Sequence, residues 1–336
     1  MGKDRKSSVG YWVLITLLLF VLGGSLLLNL ALSSALLRSR SEADADRPAD
    51  EEPDFEEVWS YGHGKTKAVR IPLEGVIMHG GEGGSLFGNG PDMVEETLAR
   101  IRAATLDPDV KGLLLEVDSP GGAVTPSDEI YMALEDFRAA DTNRVIVVFI
   151  RGLGASGAYY AAMAGDYIVA EPTALVGSVG VLMQTVNASG LGEKLGLKSV
   201  TIASGENKDL LNPLEKVNPR HVAMLRGVVR DLYERFCAIV LRSRNLKSRE
   251  LLDGRILTAR QALEAGFIDE IGYFTEAVDA LEELLGVEDV KLVRYEQKTS
   301  FFDELLGRVR SPLPGIRSLV RPAAPRLLYQ WNPSPF

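Results

Sequence analysis

The run Val145-Ile-Val-Val-Phe-Ile150 is apolar at every position and almost wholly β-branched, and within four residues it passes into Gly154-Ala-Ser-Gly-Ala-Tyr-Tyr160. A strand without polar alternation must be covered on both faces, as in the middle of a parallel sheet with helices on each side. Gly112-Leu-Leu-Leu-Glu-Val117 repeats the pattern. Helical periodicity separates such runs: Pro91–Thr105, Val124–Ala140, Ser156–Ala164, Pro219–Arg244, Thr258–Ala265 and Phe274–Leu285. Further strands are predicted at Val69–Ile77 (interrupted near Pro72), Tyr167–Ala170, Val179–Met183, Lys198–Ala203 and Val290–Tyr295. This alternation predicts α/β layers with mainly parallel strands. No motif recurs, so no internal duplication is expected.

The ends of the chain differ from this body. Tyr11–Leu37 holds no charge and is longer than the ~20 apolar residues that span a bilayer. It exceeds the roughly 7–15 apolar residues of a signal peptide, although Ser33-Ser34-Ala35 would pass as a cleavage site. A retained single anchor is expected at 11–37, after a cytoplasmic N-terminus at 1–10. Lys3, Arg5 and Lys6 precede the span and Arg38, Arg40 and Arg47 follow it, a weak orientation signal that places the remainder outside the cytoplasm. Residues 38–67 read as an acidic flexible stalk, 68–300 as the folded domain, and 301–336 as a Pro/Arg-rich extended tail.

The net charge of −9 disfavours a nucleic-acid partner, which needs clustered Lys and Arg. The single cysteine, Cys237, falls on an apolar helix face and reads as core. One Cys with three scattered His makes no recognisable zinc site, so no metal is expected. The glycine-rich stretch His79–Gly90 fits no nucleotide-binding pattern, so neither nucleotide nor cofactor is expected.

Three stretches carry chemistry. The turn before Ser156 exposes a hydroxyl at a helix start, beside backbone amides suited to an oxyanion. It is not the Gly-x-Ser-x-Gly elbow, because position 158 is Ala. Asp118-Ser-Pro-Gly-Gly122 leaves amides uncovered after a buried strand, and the Gly122 N–H is favoured as one oxyanion donor, with Ser156 or Gly157 supplying the other. A serine also needs a base. None of the three histidines (His63, His79, His221) sits in a site-like stretch, whereas Lys208 lies in Ser204-Gly-Glu-Asn-Lys-Asp209. A lysine of ordinary pKa, ~10.4, is almost wholly protonated at pH 7. One that serves as base must be desolvated and held by polar neighbours. Ser178, in Val176-Gly-Ser-Val-Gly180, could hold it.

Together with Glu171-Pro-Thr-Ala-Leu-Val-Gly-Ser-Val-Gly-Val181, these motifs resemble the signal peptide peptidase, or protease IV, family, in order and spacing, over about Val69–Tyr273. The resemblance implies a Clp-protease/crotonase-like fold of repeated ββα units. It implies Ser156 as nucleophile, Lys208 as general base, Ser178 as the lysine-orienting residue, and oxyanion donors at Gly122 and Gly157. The chain matches the short, single-domain form. It is expected to be a serine endopeptidase of the inner membrane, acting on cleaved signal peptides, with homo-oligomeric sites shared between subunits. The alternatives are a related membrane protease acting on stomatin-like proteins, a non-catalytic scaffold, and an acyl-CoA enzyme on the same fold.

Overall fold

The computed structural model describes residues 12, 15–29, 53–80, 84–85, 88–89, 92–297 and 326–330. The chain divides into two compact units, Met1–Glu52 and Pro53–Phe336. In the first, residues 15–29 form a helix (α1) with exposed side chains. At 1.5 Å per residue it extends about 22 Å, against ~30 Å of bilayer hydrocarbon. Among the described residues no helix is long and apolar enough to cross a membrane. Residues 30–37 of the expected anchor lie outside the described residues, as do residues 38–52 of the expected stalk.

The second unit begins with β1 (Phe55–Tyr61), β2 (Thr66–Glu74), the small hairpin β3 (Gly84–Ser85) and β4 (Gly88–Asn89), and α2 (Met93–Leu106). Next come β5 (Val110–Ser119), β6 (Gly121–Ala123), α3 (Val124–Ala139), β7 (Val145–Ala155) and α4 (Gly157–Ala162). They are followed by β8 (Tyr167–Ala170), β9 (Leu175–Gly177), β10 (Leu182–Gln184), α5 (Ser189–Leu195) and α6 (Pro219–Ser243). The last are β11 (Ile256–Thr258), α7 (Ala259–Ala265), β12 (Glu270–Ile271), α8 (Phe274–Leu285), β13 (Val290–Gln297) and β14 (Arg326–Gln330).

The main sheet runs β1-β13-β2-β5-β7-β8-β12, with β9 added to the far end of β7 and β11 to β9. Its pairs are parallel except β1–β13 and β11–β9. The centre is apolar on both faces, as its sequence requires. Leu113, Leu115, Ile146, Val148 and Ile150 pack toward α2, α3, α4 and α6, while Leu114, Val147 and Phe149 pack toward α8. The fold is thus mixed α/β with a largely parallel sheet.

Several boundaries differ from expectation, each for a local reason. The folded unit starts before residue 68, because β1 falls in the predicted stalk and pairs antiparallel with β13. Pro72 does not interrupt β2. It pairs with Glu116, and β13 covers β2 only from Thr66 to Arg70, so the proline lies where that edge is open. Asp92 caps α2, its carboxylate accepting from Val94 and Glu95 N–H, so the helix starts at Met93. In place of one strand at Val179–Met183 there are two, β9 and β10, broken at Ser178. Lys198–Ala203 is not a strand, since no strand of the chain lies beside it. The tail expected at 301–336 contributes β14, which joins β10 and β6 in a three-stranded antiparallel sheet.

Candidate active site

Strand β7 ends by pairing Leu153, Gly154 and Ala155 with Leu175, Val176 and Gly177 of β9. The next residue, Ser156, turns at φ 55° and ψ −115° and caps α4. Its N–H donates to Gly177 O (2.7 Å) and its carbonyl accepts from Tyr160 N–H (2.8 Å). Only 1% of the residue is exposed. Positive φ is costly for a residue with a Cβ, on the order of 1–3 kcal/mol, and persists only where the surroundings over-determine it. This is the strained strand-to-helix turn that the missing glycine at 158 argued against. The turn is enforced by packing instead.

That packing is visible residue by residue. A Cβ on Gly154 would lie 2.8 Å from the Ile150 side chain, so β7 can close down only with glycine there. The whole of α4 is buried. Tyr159 donates to Phe267 O (2.7 Å), and burial raises its pKa, so the phenol stays protonated. Tyr160 donates to Asp128 Oδ1 (2.5 Å), which also accepts from Arg235 Nη2 (2.6 Å). The helix behind Ser156 is therefore tied to α3, to α6 and to the turn after α7.

The Asp118-Ser-Pro-Gly-Gly122 motif braces the same turn. Asp118 Oδ1 accepts from Leu153 N–H (3.1 Å). Ser119 Oγ donates to Gly75 O (2.6 Å) and accepts from Gly121 N–H (3.1 Å). Sequence reasoning had assigned the motif only its glycine amides. Gly121 takes φ 85°. A Cβ on Gly122 would lie 1.9 Å from Ile77 O, and Ile77 binds on both sides of it, to Gly121 O (2.9 Å) and from Ala123 N–H (2.7 Å). The N–H of Gly157 is the first amide of α4 and has no carbonyl one turn earlier in the helix.

Ser178 stands beside Ser156. The two follow the paired residues Gly177 and Ala155, and Ser178 also has positive φ, 54°. Its N–H donates to Arg255 O (2.7 Å) and the residue is 8% exposed. Lys208 is placed differently. It lies on an exposed turn where its N–H donates to Gly205 O (3.1 Å). The turn is held by side chains: Asn212 Nδ2 donates to Asp209 Oδ2 and to Ser199 Oγ, both at 2.9 Å. Those bonds hold Asp209 below the usual carboxylate range, Asn212 first and then Thr201. Among the described residues, no side-chain hydrogen bond or ion pair joins Lys208 to Ser156 or Ser178. The chain therefore assembles Ser156, Gly157, Gly122 and Ser178, and leaves Lys208 apart.

The described residues include one group with metal-ligating atoms in mutual reach, His79, Asp92 and Glu95. Its atoms are already engaged: His79 Nε2 with Glu129 (2.8 Å), Asp92 with the start of α2 and with Gly80 N–H (2.7 Å).

Residues 138–288, which hold Ser156, Ser178 and Lys208, match peptidase family S49. The candidate signal peptide peptidase SppA of Enterococcus faecium is 34% identical over 78% of this chain and 77% of its own length. The chain belongs to peptidase family S49. A candidate protease of Methanocaldococcus jannaschii is 35% identical over 56% of this chain and 61% of its own. The chloroplastic serine protease SPPA of Arabidopsis thaliana is 26% identical over 67% and 34%. The match thus spans less than two thirds of these last two relatives. This S49 protein is a serine peptidase, similar to signal peptide peptidases, and its family implies peptide substrates.

Proposed function

We propose that this S49 peptidase is a membrane-anchored serine endopeptidase that degrades residual signal peptides and other membrane-associated polypeptides. The carrying observation is the over-determined turn at Ser156, which sets one hydroxyl between the amides of Gly122 and Gly157. Ser156 Oγ attacks the scissile carbonyl while Lys208, neutral and held by Ser178, takes the hydroxyl proton. The Gly122 and Gly157 N–H groups receive the oxyanion. Lys208 then protonates the leaving amine, and water hydrolyses the acyl-enzyme with Lys208 again as base.

The exposure of Lys208 supports a site completed between copies of the chain, because a lysine base must be desolvated. The residues around it point the same way: Val200 is 87% and Ile202 98% exposed. In this reading a neighbouring subunit covers that segment and receives its lysine. The charge-free run 11–37 supports an inner-membrane anchor with the catalytic unit outside the cytoplasm.

The test mixes two inactive variants, Ser156→Ala and Lys208→Ala, under conditions of verified subunit exchange. A shared site returns roughly a quarter of the activity at random mixing, since each interface needs one intact serine and one intact lysine. A site within one chain returns none. Peptides accumulating in a Ser156→Ala strain identify the substrates, with signal peptides expected and stomatin-like proteins the competing outcome.

A further inference from the structure

The small sheet β10-β14-β6 is not needed by the sheet that builds the core, and its middle strand comes from the chain's last residues. Both flanking strands are attached to the candidate site. β6 contains Gly122, and β10 begins four residues after Ser178. β14 lies antiparallel to both, with Leu328 opposite Ala123 on one side and Leu182 on the other. It also packs on α3 and on α4, the helix that Ser156 caps.

The hydrogen-bond directions give this position a meaning. Gly121 O and Ala123 N–H both point at Ile77. A strand's groups alternate in direction, so the N–H and C=O of Gly122 face the opposite edge. β14 occupies that edge, with Tyr329 opposite Gly122. The amide proposed to receive a substrate's oxyanion therefore already faces a carbonyl-bearing strand of the same chain. Strand addition of this kind draws its affinity from main-chain hydrogen bonds and accepts an extended peptide from any source. The sequence Arg326-Leu-Leu-Tyr-Gln330 has the apolar character of a signal peptide's central region. Pro325 and Pro333 flank it, and proline cannot donate to a ladder, which keeps the strand short.

We propose that Arg326–Gln330 is a built-in occupant of the peptide-binding groove between β6 and β10, which an incoming polypeptide must displace. The proposal rests on reading Ser156 as the peptidase nucleophile, so its test has one readout that needs no turnover. In the full chain, Tyr329→Pro removes the N–H on the β6 side, and Leu328→Pro disrupts the neighbouring position, paired with both β6 and β10. The two variants are made separately, so that a folding defect in one leaves the other.

In a Ser156→Ala background, hydrogen exchange at Gly121–Ala123 and Leu182–Gln184 is expected to accelerate at least about tenfold in either variant. A synthetic peptide of residues 324–332 restores the protection. With Ser156 intact, kcat/KM on an extended apolar peptide rises roughly tenfold if the strand is seated nine-tenths of the time, and the synthetic peptide competes. Unchanged exchange together with Ser156-dependent cleavage overturns the seated strand and leaves the catalytic reading standing. Faster exchange without any Ser156-dependent cleavage upholds the seated strand and overturns the catalytic reading.

Discussion

The turn that carries Ser156 is enclosed by a parallel strand pair, a buried helix and two brace residues, whereas the segment that carries Lys208, residues 198–217, has no helix or strand and is exposed along most of its length. The two differ in what supplies their order. Ser156 is held by contacts within its own chain, so its geometry costs backbone strain that the surrounding core offsets. Lys208 is held by a few polar side-chain bonds around Asn212. A proton donor and acceptor that must meet within hydrogen-bond distance are thus built to different standards in one protomer. The proposed function resolves the difference by having a second protomer supply the missing order.

The largest effects test whether the two halves are equal in chemistry though unequal in structure. Ser156→Ala and Lys208→Ala should each lower kcat/KM by about 10⁴-fold or more. Lys208→Arg should be equally inactive, because a guanidinium stays protonated. Near-normal turnover by Lys208→Arg would remove the lysine from the mechanism. Gly122→Ala should come next, with a loss of roughly 10²–10³-fold if its amide serves the oxyanion. It should also lower Tm, since its methyl would meet Ile77 O at 1.9 Å.

Smaller effects probe the structural contrast directly, by chemical denaturation. Tyr160→Phe should cost about 1–2 kcal/mol of stability, from the hydrogen bond to Asp128. Ser156→Gly should be inactive yet more stable by roughly 1 kcal/mol, as glycine relieves the positive φ. Lys208→Ala should change protomer stability by less than about 0.5 kcal/mol. If Lys208→Ala proves the more destabilising of these, the lysine segment is not the loosely held half.

The smallest effect concerns the scaffold beside Ile77. Partial burial lowers the His79 pKa, but the hydrogen bond and charge of Glu129, followed by the charge of Asp92, outweigh it and leave the pKa raised. A raised pKa stabilises the fold fully below the ordinary histidine value, about 6.5, and that contribution fades as pH rises through the folded value. The Tm gap between the parent chain and His79→Ala should therefore be wider at pH 5.5 than at pH 9. A gap independent of pH would show that the Glu129 contact does not depend on charge.

The central strands, the major helices and the identity of the serine and lysine could be read from local pattern alone. Val145–Ile150 has no polar face, so it had to be central, and α8 appears at Phe274–Leu285 as its periodicity requires. The family motifs mark residue types whose chemistry does not depend on the fold around them. What local pattern could not decide was anything settled by a distant partner. Lys198–Ala203 has strand composition but no neighbour to pair with, while the irregular C-terminal segment becomes β14 because β6 and β10 leave open edges for it. Asp118 and Ser119 look like turn residues until β5 and β7 bring Leu153 and Gly75 to them. The positive φ of Ser156 is likewise invisible in Gly-Ala-Ser-Gly-Ala. It arises where β9 takes the serine's N–H and α4 begins at once, and only the packed chain makes that strained conformation the lowest in free energy.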